Sequence, residues 1–550
     1  MAFLEILAAA SFGAFTFITY FHHGEHHLYG ATYFTSFLLI CASAITYLVQ
    51  KQGHTLPEVL GTTTQIATSF FFGIYTTCVL YRISPLHPLN KFPGPFSARI
   101  STLWLFFQAT PRKQAHLALL DTHNKYGKIV RVGSNTLSII HPKAVEKIHN
   151  TCLKAPFYDL DNPNTSIQST RDKALHDQRR RPWSLAFTET RLRDYEPRIK
   201  KIHQHLLARI DQDSKNNEDG QSNMPVDATR IVNQYAFDVM GEVAFGSHFD
   251  MLNTSKSHKA IDMLNESMGL MGFMCPIWLI RLAVAIPGLT RKWWQFTDYC
   301  FGQMEMCRST KSGSPVIAST LLEPYEKREP TPSEKNILRG EAQLLVVAGS
   351  DTTSAALTCA LYELVRNPHI KTQLREAISA SLSPGETEIG AHDVRNIDIL
   401  NGIINETLRL YPPVPTTLWR LTPPEGLWID DETYIPGNVI VSTPHYVLGR
   451  SNDIYDRPND FIPERWSSKP GLIKQDKAFA PFSVGPFSCV GRPLAMMNLR
   501  MTLAQLVYTY DISLPASMTM DEARTAMEGN MKDNFTLMPG QLSLVFKRRV

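Results

Sequence analysis

Phe482-Ser-Val-Gly485-Pro-Phe-Ser-Cys489-Val-Gly491-Arg492-Pro-Leu-Ala is the stretch that decides the fold. Its cysteine sits in a glycine-containing loop and is followed at once by the helix-like run Leu494–Met501. A helix N-terminus offers free backbone N–H groups and the positive end of the helix dipole, which favour a thiolate over a thiol. Gly485 and Gly491 let the backbone bend tightly and approach a flat ligand closely. The other cysteines, Cys41, Cys78, Cys152, Cys275, Cys300, Cys307 and Cys359, form no Cys-x-x-Cys pair. They suggest neither a zinc site nor a dithiol redox motif, and read as small buried hydrophobes in a reducing compartment.

Upstream, a long helix is predicted over Ser333–Val365, ending before Asn367-Pro368. It contains Ala348-Gly349-Ser350-Asp351-Thr352-Thr353, which sets an acid beside a hydroxyl. Glu406-Thr-Leu-Arg409 lies in a second helix-like segment, Asn401–Leu410. Glutamate and arginine three apart share a helix face and can pair, although isolated surface pairs of this kind are common and weak. Phe461-Ile-Pro463-Glu464-Arg465-Trp466 supplies a second arginine. In His176-Asp-Gln-Arg179-Arg180-Arg181-Pro-Trp183, His176 and Arg180 lie four apart on one helical face.

Across residues 92–548 these motifs, in this order, resemble those of the cytochrome P-450 superfamily, whose haem signature is Phe-x-x-Gly-x-x-x-Cys-x-Gly. The resemblance implies a mainly α fold with small β-sheets, here expected near Ile129–Ile140, Leu427–Val441 and Phe535–Phe546. It implies Cys489 as the thiolate ligand of a haem b iron, within a loop shaped by Phe482, Gly485 and Gly491. Such a thiolate pushes electron density towards O–O cleavage. Asp351 and Thr352 would deliver the protons that this cleavage needs, and Gly349 would leave room for dioxygen. Glu406, Arg409 and Arg465 would support the cysteine loop, and His176, Arg180 and Arg420 would pair the haem propionates. One position departs from the common pattern: Phe487 stands where many members carry an arginine or histidine. By family position the substrate pocket comprises Leu345, Val347, Ala348, Val414, Thr416, Thr417, Leu418, Phe535 and Leu537. A mostly apolar lining of this kind implies a hydrophobic substrate held by a few polar contacts.

The N-terminal region reads differently. Phe3–Phe21, Leu28–Val49 and Ile66–Tyr81 are apolar runs, the third short against the roughly 20 residues that a span requires. The expected division is a membrane-anchor region over residues 1–85, with up to three transmembrane helices, and a haem-thiolate domain over 86–550. With three spans and a cytosolic catalytic domain at the endoplasmic reticulum, the N-terminus would be lumenal. His87–Pro95, rich in proline, reads as a stiff connector between the two regions. The apolar segment Met268–Val284 matches the part of microsomal members that dips into lipid at the substrate entrance.

A net charge of +4 gives no reason to expect a nucleic-acid partner. No Gly-x-Gly-x-x-Gly fingerprint is present, so electrons must come from a partner. The resemblance implies an NADPH–cytochrome reductase, with Arg179, Arg181, Arg191, Arg193, Lys200, Lys201 and Arg500 as docking candidates. The reaction it implies inserts one atom of O2 into a C–H bond of a hydrophobic small molecule, as in fungal secondary-metabolite hydroxylases. Alternatives within the fold are a desaturase or multistep oxidase, and a hydroperoxide isomerase that needs no reductase. Asp351-Thr352 argues against the isomerase, which has no use for a proton relay. Outside enzymes, a haem-binding sensor is the competing reading.

Overall fold

The computed structural model describes residues 2–215, 224–247, 249–310, 315–383, 385, 387–416 and 418–549. Its axis is the helix Pro332–Arg366, predicted from sequence to within a residue or two at each end. Thr331 caps it by accepting from the Glu334 N–H, while the Glu334 carboxylate accepts from the Thr331 N–H at 2.8 Å; Pro332 occupies the first turn, where no N–H is needed. This helix is apolar enough to cross a membrane, yet 72% of its most apolar stretch is buried inside the protein. It is a core helix, packed chiefly by Ala228–Phe245 and Arg291–Thr310.

Gly349 makes the first of these contacts possible. A Cβ there would lie 2.4 Å from Met240 Sδ, so the close approach of the neighbouring helix needs a glycine at this position. Gly349 also lines the central cavity.

The sheets are small, as expected. The largest runs Ile129–Gly133, Thr136–Ile139, Ile440–Ser442, Arg420–Leu421, Leu153–Lys154. It brings Arg420 and Lys154 side by side as an antiparallel pair. The hairpin Lys532–Asn534 and Thr536–Met538 turns through Phe535, whose φ of +76° is a left-handed conformation unusual outside glycine.

Three apolar helices precede this body: α1 (Ala2–Thr16, continued by a π-turn to Phe21), α2 (Gly30–Gln52) and α3 (Leu56–Ile83). Their mean hydropathies are 1.5, 1.7 and 1.3 and they are almost wholly exposed, which fits a membrane anchor. The third is longer than the sequence suggested: 28 residues at about 1.5 Å per residue reach roughly 42 Å, enough to cross a bilayer. Its polar first turn, capped at Thr55 and Glu58, had hidden that length. α1 and α3 touch through backbone. A Cβ on Gly13 would lie 2.1 Å from Phe70 O, and one on Gly73 would lie 2.0 Å from Ala10 O. Farther along, His22 stacks edge-on against Tyr81 at 4.5 Å, so the two helices run parallel and end on the catalytic side.

The proline-rich connector is not a free hinge. Leu89 and Phe92 are buried in a cluster with Leu137, Ile139 and Val441. The Pro93 carbonyl accepts from the Arg131 N–H at 2.8 Å, and the buried Arg131 guanidinium donates to the Asn90 side chain at 2.8 Å. The connector is therefore part of the sheet end of the catalytic domain.

Candidate active site

Cys489 stands three residues before the helix Arg492–Thr509, with Pro493 in its first turn. The loop is tied internally: the Cys489 N–H donates to Phe482 O at 2.8 Å and the Ser488 N–H to Gly485 O at 3.1 Å. Gly485 has φ +74°, and a Cβ there would lie 2.6 Å from both Asn150 Oδ1 and His149 O, so only glycine fits. The Cys489 side chain opens into a central cavity of about 300 Å³. Burial pushes its thiol up, against the pull of the Gly491 and Arg492 N–H groups and of the Arg180 and Arg492 guanidinium groups. A bound metal cation would add to that pull.

Of the residues read from sequence as cofactor contacts, Phe482, Gly491, His176, Arg180 and Arg420 line this cavity, while Gly485 shapes the loop behind it. Arg180 reaches across to the loop, donating to Ser488 O at 2.7 Å and to Ser488 Oγ at 3.1 Å. Phe487 is enclosed by positive groups. His176 meets it edge-on at 4.7 Å, Lys154 Nζ lies 4.7 Å from its ring and the Arg420 guanidinium 5.5 Å.

Lys154 escaped the sequence reading, because a lone lysine after a short helix carries no signal. It is buried, donates to Ile167 O at 2.7 Å and Thr170 O at 3.0 Å, and has no carboxylate within ion-pair distance among the described residues. Burial pulls its ammonium down to about 6, helped by Arg420 and Arg180. Arg420 Nε is buried with no hydrogen-bond partner. Burying several like charges without an anion is expensive. The cluster therefore fits an acidic cofactor edge such as a pair of haem propionates, with the thiol of Cys489 available to the iron.

Behind the loop, Glu406 accepts from Arg409 Nη2 at 2.7 Å and Nε at 2.8 Å, and from Arg465 Nε, Trp466 Nε1 and the Ile462 N–H at 2.9 Å each. All three ionic side chains are fully buried. The network reaches the cysteine loop by packing, since Trp466 stacks on Phe479 at 4.2 Å and a cluster including Ala478, Ala480 and Val484 follows.

Thr352 lines the cavity and donates to Ala348 O at 2.7 Å. Asp351 is set back from it, beside Thr536; burial pushes its carboxyl up to about 7, against the pull of that hydroxyl. Thr536 also lines the cavity, with its hydroxyl beside the Asp351 carboxyl. It is a second residue that sequence reasoning missed, being remote from Asp351 along the chain.

Among the expected pocket residues, Leu345, Val347, Ala348, Val414, Leu418 and Phe535 do line the cavity. Thr416 and Leu537 do not. Thr416 is buried and donates to Asp533 at 2.6 Å, and Leu537 packs into the core, because strand alternation turns it away from the face that carries Thr536. Thr417 lies outside the described residues. A second cavity of about 910 Å³ lies among Lys259–Met271, Ile277–Ala285 and the start of Arg291–Thr310, and shares Tyr158, Gln168, Leu344, Val347 and Phe535 with the first. Much of the apolar segment Met268–Val284 lines this second cavity.

The docking candidates divide. Arg179 is buried and clamps the fully buried Glu341 on the central helix, donating from Nε at 2.9 Å and from Nη2, while Trp183 donates to the same carboxylate at 3.1 Å. Arg500 is half-buried and donates to Asn401 at 2.7 Å. Both are structural, a correction to the surface reading. Arg181, Arg193 and Lys201 are exposed; Arg191 and Lys200 are partly so, and pair with Asp194 and Glu196. Arg179→Ala is expected to leave Glu341 buried and unpaired and to destabilise the protein by about 3–5 kcal/mol. Chemical denaturation of the haem-loaded enzyme checks this.

A model of the cytochrome P450 family matches residues 93–537. The chain is a cytochrome P450. Cytochrome P450 monooxygenase notG' of Aspergillus versicolor is 40% identical to it over 552 residues, covering 100% of this chain and 98% of the relative. Tryprostatin B 6-hydroxylase of Neosartorya fischeri is 38% identical over 517 residues, 93% of each chain. Among solved structures, the haem domain of cytochrome P450DA superposes with a TM-score of 0.68 at 17% identity, covering 84% of this chain and 97% of that one. That likeness speaks for the fold. This P450 is an oxygen-incorporating oxidoreductase of the fungal monooxygenase type, dependent on haem, O2, an electron donor and a small-molecule substrate.

Proposed function

We propose that this P450 hydroxylates a hydrophobic small molecule in fungal secondary metabolism, at a C–H bond held in the central cavity that Cys489 also lines. The cavity that joins the thiol of Cys489, the hydroxyl of Thr352 and an apolar wall carries this reading. The relative named for 6-hydroxylation of tryprostatin B supports that chemistry and substrate class. When bound, haem b would supply O2 binding and reductive O–O cleavage. Cys489 would hold its iron, and His176, Arg180, Arg420 and Lys154 would neutralise its propionates. Lys154 takes up the charge that Phe487 does not provide.

Asp351 would carry a proton near neutral pH, between two hydroxyls that line the cavity: Thr352 next to it in sequence and Thr536 beside it in space. Val347, Ala348, Leu418 and Phe535 would orient an apolar substrate and exclude water. The electrons would come from an NADPH–cytochrome reductase docked on the exposed face of Arg181, Arg193 and Lys201. Faster turnover at low salt checks that docking.

Residues 1–85 would form a three-span anchor in the endoplasmic reticulum, with residues 86–550 in the cytosol. Because α1 and α3 run parallel and α3 enters the catalytic domain, the N-terminus falls on the lumenal side. An N-terminal acceptor tag is then glycosylated on expression, whereas one after Val550 is not.

The reduced carbon monoxide complex tests the thiolate directly. Wild type is expected to show the red-shifted Soret band of a thiolate-bound haem, and Cys489→Ser to lack it. A haem-loaded, folded wild type without the band overturns the reading.

A further inference from the structure

The turn between α1 and α2, residues 22–29, is fastened to the catalytic domain. Arg171 donates from Nη1 to Glu25 Oε2 at 2.6 Å and from Nη2 to Glu25 Oε1 at 2.7 Å. The same Nη1 donates to Asp159 Oδ2 at 2.6 Å, and Arg171 Nε to Lys154 O at 3.2 Å. His27 Nε2 lies 2.9 Å from Asp159 Oδ2, with both side chains largely buried. Burial alone would raise the Asp159 carboxyl; His27 and Arg171 together hold it below its ordinary range. The Arg171 guanidinium bridges the Glu25 and Asp159 carboxylates, and His27 meets Asp159 from the other side. A bidentate, partly buried pair of this kind is stronger and more directional than an exposed ion pair.

The far partner of the turn matters for what it does. Asp159 belongs to a segment in which Phe157, Tyr158, Leu160 and Asp161 line the second cavity. The opposite side of that segment is gripped by the helix Ile277–Ala285: Arg281 donates to Leu160 O at 3.1 Å and to Asn162 O at 2.7 Å. The start of α2 packs on the same helix, where a Cβ on Gly30 would lie 3.0 Å from Leu282 Cδ2. One wall of the cavity is thus held between the membrane turn and the helix beside it.

We propose that the turn between the first two membrane helices is a clamp on the substrate entrance. Glu25 and His27 fix the 156–162 wall of the second cavity through Arg171 and Asp159. The anchor then sets the width of the opening as well as attaching the enzyme to the bilayer. The entrance half of this proposal rests on reading the second cavity as the way in for an apolar substrate.

The test uses the full-length, haem-loaded enzyme in lipid nanodiscs. Amide hydrogen exchange is compared for wild type, Glu25→Lys and His27→Ala. Loss of the clamp is expected to speed exchange across 156–162 by roughly tenfold, with the central helix unchanged. Glu25→Gln replaces Glu25→Lys if the latter fails to give a normal carbon monoxide spectrum. Unchanged exchange in both single variants overturns the clamp. The same proteins are then mixed with imidazole and with the bulkier 4-phenylimidazole, and the Soret shift is followed in time. Clamp variants are expected to change the association rate of the bulky ligand several-fold and that of imidazole little. Altered exchange without that size dependence overturns the entrance half, and it does so without touching the assignment of the enzyme's reaction.

Discussion

Glu406→Ala is expected to give a protein that accumulates without haem. The carboxylate accepts five hydrogen bonds, and two guanidinium groups depend on it inside a site that water does not reach. Its removal leaves Arg409 and Arg465 buried and uncompensated, a cost of about 3–5 kcal/mol, comparable with a large part of the stability of a whole domain. The damage falls on the cysteine loop because Arg465 also donates to Asp456 O at 3.0 Å and Leu472 O at 3.2 Å, and so holds the 456–472 segment on which Phe479 and Val484 pack. Glu406→Gln keeps the shape but not the charge, and should retain part of the haem. The haem-to-protein ratio of the purified variants measures both, and a fully loaded Glu406→Ala would show that the loop stands without the network.

Thr352→Ala and Asp351→Asn are expected to separate oxygen consumption from product formation. Both should keep haem and the carbon monoxide band, since neither side chain lies in the propionate cluster or the cysteine loop. Loss of one positioned proton donor typically costs a factor of about 10²–10⁴ in the step it serves. Product should therefore fall far more than O2 uptake, with the balance appearing as reduced oxygen species.

The pH dependence has a definite sign. Burial raises the Asp351 carboxyl to about 7, so the folded enzyme holds a proton that the unfolded chain releases near 4. Coupling of electrons to product is expected to decline as pH rises through about 7, and Asp351→Asn to flatten that decline. Stability follows the same linkage. It is greatest below about pH 4 for this group and falls by about 4 kcal/mol on the way to pH 7 and above, a slope that Asp351→Asn removes. If Thr536→Ala lowers coupling as much as Thr352→Ala does, both hydroxyls serve the acid. If only Thr352→Ala lowers it, Thr536 is a packing residue.

Much of the site was legible because its chemistry is local. A cysteine between two glycines before a helix, an acid beside a hydroxyl on a long apolar helix, and a glutamate one helical turn from an arginine each write their geometry into a short window. The charge network needed one non-local partner, Arg465, which the Pro-Glu-Arg-Trp motif supplied. Burial was not legible. Arg179 and Arg181 look alike in sequence, yet one is locked onto Glu341 in the core and the other is exposed. Gly349 reads in sequence as room for a ligand, and the packing of Met240 against it shows only in space.

The sequence by itself determined the family, through motifs that resemble it, and the extent of the central helix and the apolar character of the N-terminal runs, because each is written in a short stretch of chain. The tertiary structure alone decided where charge is compensated and where it is not. Lys154 and Arg420 become neighbours only when Leu153–Lys154 pairs with Arg420–Leu421 in a sheet. Glu25 meets Arg171 only when the first two apolar helices set their turn against the catalytic domain. Electrostatic energy depends on distance and on burial in space, and no window along a chain contains either.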